Sequence, residues 1–163
     1  MITKCIMAFA LLVNNFGFSI ANEVIDLTDC DQYVPESCYQ YATLLVENFD
    51  EENIENAVKI MWCESRNDPQ AYRWHDRDSG LFQVIPRTYG WVQENYDLHY
   101  WDYPIGNTYA QFVPKINIQV ASILVEDIHS YSPYWNVFNN SKDCWEDTDQ
   151  WIEKWQKEEY GNN

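Results

Sequence analysis

Glu64 is the residue from which a chemical reading of this chain starts. It closes an apolar helical stripe, between Cys63 and Ser65 and near Trp62 and Trp74. A carboxyl in such surroundings is partly desolvated, which favours its neutral form and suits a general acid. The plain alternative is a solvated glutamate at a helix end, so the residue needs support from its surroundings. Two further carboxylates, Asp76 and Asp78, follow in a polar loop, where either could position a water. Asp76-x-Asp78-x-Gly80 has the outline of a calcium loop but lacks the further oxygen ligands and the terminal Glu. His75, His99 and His129 are scattered without ligand spacing, so no metal and no cofactor is expected. Cys63 has no matched His to make it a nucleophile, and a disulfide is its better reading.

Helices must position these groups. From Pro35, the residues Cys38, Tyr41, Ala42, Leu45, Val46 and Phe49 recur at helical spacing, with Pro and Glu in the first turn. Asp50 can cap a second helix that opens with Glu51-Glu52 and buries Ile54, Ala57, Val58 and Met61. That stripe leads directly into Cys63-Glu64-Ser65, and Asn67-Asp68-Pro69 stops it. Residues 70 to 110 lack a sustained period and read as loops, a small hairpin and a short helix after Pro86. Pro114 opens a third helix with Ile116, Val120, Ile123, Leu124 and Ile128 on its apolar side, uncharged from Ile116 to Val125 and therefore central. A last short helix, capped by Asp149, carries Trp151, Ile152 and Trp155, and ends at Gly161. The expected fold is a single, mainly α domain with a small loop or hairpin region forming a cleft.

The N-terminus reads differently. One Lys precedes the apolar run Cys5–Val13, and Ser19-Ile20-Ala21 supplies small residues before Asn22, as in a secretory signal peptide. The run is too short to span a membrane, which takes about 20 residues. Residues 1–21 are thus expected to be removed, leaving residues 22–163 as a soluble, exported and monomeric domain. Cys5 would leave with the leader. Cys30, Cys38, Cys63 and Cys144 then allow three pairings, of which the local Cys30–Cys38 loop with Cys63–Cys144 is expected. Asn139-Asn140-Ser141 is a glycosylation sequon at Asn139.

Several strings in order resemble one family. Met61-Trp62-Cys63-Glu64-Ser65-Arg66-Asn67 with Ala71, followed by Gly80-Leu81-Phe82-Gln83 before Pro86, is similar to the lysozyme-like soluble lytic transglycosylases. Asn117 and Ser132-Pro133-Tyr134-Trp135 resemble that family's closing helix and Trp segment. The likeness covers residues 54–144. It implies an α+β lysozyme-like fold and cleavage of the β-1,4 bond between N-acetylmuramic acid and N-acetylglucosamine in peptidoglycan, with Glu64 as acid and then base. Ser65 would orient Glu64 or the substrate's acetamido group. Gly80, Leu81, Phe82 and Gln83 would line the cleft, Gln83 near the acetamido group, and Trp135 would bind substrate. One acid suffices when the substrate's own acetamido oxygen stabilises the oxocarbenium-like state.

A second carboxylate decides the product. If Asp76 or Asp78 holds a water, the enzyme is a hydrolase; otherwise a hydroxyl of the sugar attacks and an anhydro product forms. The Ala-Tyr-Asn string of many bacterial transglycosylases is missing, which favours hydrolysis. A non-catalytic glycan-binding protein is the rival, opposed by the retention of Glu64 with Ser65 and Gly-Leu-Phe-Gln. Trp91, Tyr100, Trp101 and Tyr103 are candidate sugar platforms, although such rings are more often core.

Charge limits the partners. Lys and Arg number 10 against 26 Asp and Glu, a formal charge of −16. Nucleic acid is excluded as a partner, because phosphate binding is driven by Lys and Arg. The same charge repels an anionic bacterial wall, so activity is expected to favour acidic pH or a salty medium.

Overall fold

The N-terminal apolar run is a helix, α1 (Ile2–Asn14). It is followed along the chain by α2 (Glu36–Tyr39), α3 (Ala42–Asn48), α4 (Glu51–Ser65), α5 (Pro86–Asn95), a 3-10 helix (Thr108–Phe112), α6 (Pro114–Glu126) and α7 (Thr148–Tyr160). The computed structural model describes residues 1–14, 30, 34–98, 108–126, 144 and 148–160. Among them there is no β-strand, only isolated antiparallel bridges joining Tyr72 to Ser79 and Ser79 to Val84. The molecule is mainly α and lysozyme-like, and the expected hairpin is reduced to those bridges. No helix among the described residues is long and apolar enough to cross a membrane.

Two compact units form: Met1–Lys59 with Asp143–Asn163, and Ile60–Lys142. In the first, α1 packs against α3 and α2. Ile2, Cys5, Ile6 and Ala10 are buried, and Phe9 stacks on Tyr39 at 3.7 Å between centroids. The segment expected to be a leader therefore has a packed face in the full chain. This packing also corrects a disulfide. Cys30 pairs with Cys5, Cα–Cα 5.6 Å, rather than with Cys38, which is a buried thiol. Cys5 was discounted with the leader, and α1 brings it within the separation that a disulfide spans. Cys63 and Cys144 are both disulfide-bonded.

The periodic stretch from Pro35 is not one helix. It breaks at Gln40–Tyr41 into α2 and α3, with Tyr41 at φ −105° and ψ 1°, outside helical geometry. Cys38, Tyr41, Ala42, Leu45 and Phe49 are nonetheless buried, so the stripe survives the break.

Helix α4 carries chemistry at its end. Glu51 and Glu52 occupy its first turn, where the helix dipole favours anions. Lys59 is buried and pairs with Glu55 one turn earlier at 2.9 Å. From Ile60 to Trp62 every residue is buried. A fully buried side chain of this kind contributes about 1.5–3 kcal/mol, which fixes the last turn firmly.

In the second unit, α6 packs against the 3-10 helix and α5. Ile116, Asn117, Ile118, Val120, Ala121, Ser122 and Leu124 are buried on it. This is the central helix expected from its uncharged run. Its described part ends at Glu126, and Ile128 lies outside the described residues. Helix α5 starts on Pro86 and buries Thr88, Tyr89, Val92 and Gln93.

Candidate active site

Helix α4 stops just past Glu64 because two consecutive residues turn left-handed, Arg66 at φ 55° and Asn67 at φ 63°. Arg66 stabilises this end. Its guanidinium lies 3.9 Å over the Trp62 ring and donates to the Trp62 and Cys63 carbonyls at 2.9 and 3.0 Å. The Trp62 carbonyl also accepts from the Arg66 N–H at 2.8 Å, and a cation at this helix end complements the dipole. Asp68 then accepts from the Gln70 amide at 2.8 Å in an Asx turn, which starts the loop that returns towards Glu64.

The Glu64 side chain is 2% exposed and is held by Arg73, whose Nη2 donates to Oε2 at 2.8 Å. The same guanidinium stands 3.7 Å from the Asp78 carboxylate through Nη1. Arg73 thus faces both buried acids while half exposed itself. Asp78 Oδ1 has no hydrogen-bond partner among the described residues. Burial pushes the Asp78 carboxyl above its usual range. Arg73 opposes that rise, Asp76 adds to it, and a backbone hydrogen bond at Asp78 opposes it. Asp76 lies on the surface.

The turn from Ser79 to Val84 is closed by reciprocal backbone bonds, Ser79 N–H to Val84 O at 3.3 Å and Val84 N–H to Ser79 O at 3.2 Å. Gly80 sits at φ 77° inside it, and a Cβ there would overlap the Gln111 carbonyl and the Asn117 amide. Only glycine fits. Buried Asn117 of α6 pins the turn: its Oδ1 accepts from Phe82 N–H at 2.8 Å, and its Nδ2 donates to Ser79 O and Gln111 O, each at 3.0 Å. Leu81 and Phe82 are buried completely and anchor the turn as core. Gln83, at φ 47°, donates from Nε2 to Ala71 O at 3.1 Å and Gly80 O at 2.8 Å. Its buried Oε1 has no partner among the described residues and remains an acceptor. A buried acceptor left so costs about 1–3 kcal/mol unless a donor arrives.

Of the residues expected from sequence, Glu64 and Asp78 are brought together through Arg73, and Gly80 to Gln83 form one turn. Ser65 was expected to orient Glu64 or the substrate's acetamido group. Its Oγ donates to the Met61 carbonyl of its own helix at 2.9 Å, and the orienting contact comes from Arg73. Trp91 lies on α5 and packs edge-on against Tyr96, 6.3 Å between centroids. Trp135, Asn139, His99, His129, Tyr100, Trp101 and Tyr103 lie outside the described residues. No group of three or more His, Cys, Asp or Glu among the described residues is arranged to hold a metal ion.

A buried acid on a helix end, a glycine turn and an asparagine pinning that turn from a central helix make up the candidate site. The chain belongs to the transglycosylase SLT domain family, whose model matches residues 47–139, more than half of its length. It is accordingly an enzyme of the lytic transglycosylase, or muramidase, type acting on peptidoglycan. Comparisons with curated proteins and with solved structures gave no significant match.

Proposed function

We propose that this chain cleaves the β-1,4 bond between N-acetylmuramic acid and N-acetylglucosamine, and that a hydroxyl of the sugar, rather than water, completes the reaction. Glu64 gives its proton to the glycosidic oxygen as the bond to the anomeric carbon breaks. The substrate's acetamido oxygen stabilises the cationic carbon. The sugar hydroxyl then bonds to that carbon and returns its proton to Glu64, so no water is consumed. Gln83 Oε1, a buried acceptor, suits an acetamido N–H.

The family match supports this anhydro outcome over the hydrolysis expected from Asp76 and Asp78. Their surroundings agree: Asp76 lies on the surface, and Asp78 is buried against Arg73. The observation carrying the proposal is the buried Glu64 carboxylate held by Arg73. Export after Ala21 belongs to the same reading, since peptidoglycan lies outside the cytoplasm, and the leader-like residues 1–21 support it.

Mass analysis of muropeptides released from purified walls tests the chemistry. Anhydro-muramyl ends are expected, and reducing ends alone would establish hydrolysis instead. Glu64→Gln is expected to lower the rate by about 10²–10⁴-fold. Undiminished activity in that variant would remove Glu64 from the mechanism.

A further inference from the structure

The loop that supplies Arg73 is closed on itself. Arg73 N–H donates to Asp78 O at 3.1 Å, and Arg77 N–H donates to Arg73 O at 2.8 Å. An antiparallel bridge joins the next pair out, Tyr72 and Ser79. These contacts fix the backbone of Arg73 opposite that of Asp78, but not the long Arg73 side chain, which is half exposed. Holding such a side chain in one place costs much rotamer freedom. The contact to Glu64 must offset that loss alone unless the guanidinium has a second anchor.

The second anchor lies at the other end of the fork. Nη2 is bonded to Glu64, while Nη1 faces Asp78 Oδ2 at 3.7 Å. The two acids approach different nitrogens, so they do not compete for one donor. The Asp78 side chain is itself buried, so its route to the reacting groups runs through Arg73. A carboxylate in that place is costly: Oδ1 has no hydrogen-bond partner among the described residues, and burial disfavours the charge. Asparagine has the same shape and would avoid the cost. An acid kept where its charge lowers stability is a mark of a functional site.

We propose that Asp78 is a positioning residue for the cleavage: its carboxylate draws Nη1 of Arg73 and so keeps Nη2 on Glu64. The inference rests on Glu64 acting as the acid. The charged groups that face Asp78 are Arg73 and Asp76 of its own loop and, across Arg73, Glu64 of α4. Asp76 repels Asp78 from the surface, and Arg73 alone attracts it. The hold is therefore complete when Asp78 is ionised and weakens as Asp78 takes up a proton.

The test uses the full chain and soluble peptidoglycan strands at about pH 7, the upper end of the span over which carboxyls titrate. Asp78→Asn is expected to lower kcat by about two- to fivefold, the range open to a half-exposed ion pair, with KM unchanged. In the Arg73→Met background the same substitution should change kcat no further, because the group it acts through is gone. As pH is lowered and the native Asp78 takes up its proton, the native and Asp78→Asn rates should converge. A packing role would leave their ratio constant. A loss that persists in the Arg73→Met background, or a ratio that does not move with pH, would overturn the proposal. So would a shift between anhydro and reducing ends in Asp78→Asn, which would make Asp78 a water-handling group. If the native chain cleaves no strand, the reading of Glu64 as the acid fails, and the anchor is scored without turnover, by NMR relaxation of the Arg73 Nε–H. That group is expected to be ordered in the native chain and more mobile in Asp78→Asn; equal mobility in both would overturn the anchor as well.

Discussion

The Arg73 guanidinium holds the Glu64 carboxylate at 2.8 Å from a position that is half exposed, while Glu64 is almost wholly buried. This contact fixes the direction in which the Glu64 carboxylate points. Replacing Arg73 by Met is expected to lower kcat by up to about 100-fold through loss of carboxylate positioning. Arg73→Lys, which keeps one charge and one donor group, should recover part of the rate. A native kcat in Arg73→Met would show that Arg73 does not position Glu64.

Asp78 gives a pH dependence of stability with a definite sign. Burial raises its carboxyl above the ordinary 3.8, so the folded protein holds that proton more tightly than the unfolded chain. The resulting stabilisation is complete below 3.8 and is lost as pH rises through the raised folded value. Asp78→Asn removes it. The melting temperature of the variant minus that of the native chain should increase with pH across this window and then level off. A flat difference from pH 3 to 7, about the span over which carboxyls titrate, would contradict the assignment.

Asn117 makes three hydrogen bonds from a buried site. Its replacement by Ala should cost about 2–4 kcal/mol in urea unfolding, from lost bonds and stranded backbone groups. Gly80→Ala is expected to cost a comparable amount, since a left-handed φ and an overlap with Gln111 act together. Either variant unfolding like the native chain would show that the turn is held by other contacts.

The cysteines report on processing. The uncleaved chain, denatured without reduction, should take up one alkylating group, at Cys38. Removal of residues 1–21 takes Cys5 away from Cys30, and a second alkylated site, at Cys30, is then expected by mass mapping. N-terminal sequencing of the exported protein should begin at Asn22.

Much of this architecture is legible in the chain because it rests on apolar periodicity. The stripe Ile54, Ala57, Val58 and Met61 is buried as its spacing requires, and it delivers Glu64 to the end of α4. The uncharged run of α6 likewise became a central helix. Arg73 was missed because its contact crosses an irregular loop, where spacing predicts no neighbours. A signal was present: three of the ten basic residues, Arg66, Arg73 and Arg77, fall within the short stretch after Glu64. Ser65 is adjacent to Glu64 in sequence, but helix neighbours lie three or four residues apart, and its hydroxyl bonds to Met61 four residues back. The Cys5–Cys30 bond of the full chain lay outside the sequence reading, because setting the leader aside also sets Cys5 aside.

The pin between Phe82 and Asn117 spans 35 residues, and the one between Ser79 and Asn117 spans 38. The glycine turn therefore cannot be locked when it leaves the ribosome. At about 5–20 residues per second it waits roughly 2–7 s for α6 to be made, and closing so long a loop adds an entropic delay. Lytic competence is acquired late in synthesis, and a nascent chain truncated before Asn117 would carry its acid without the means to use it.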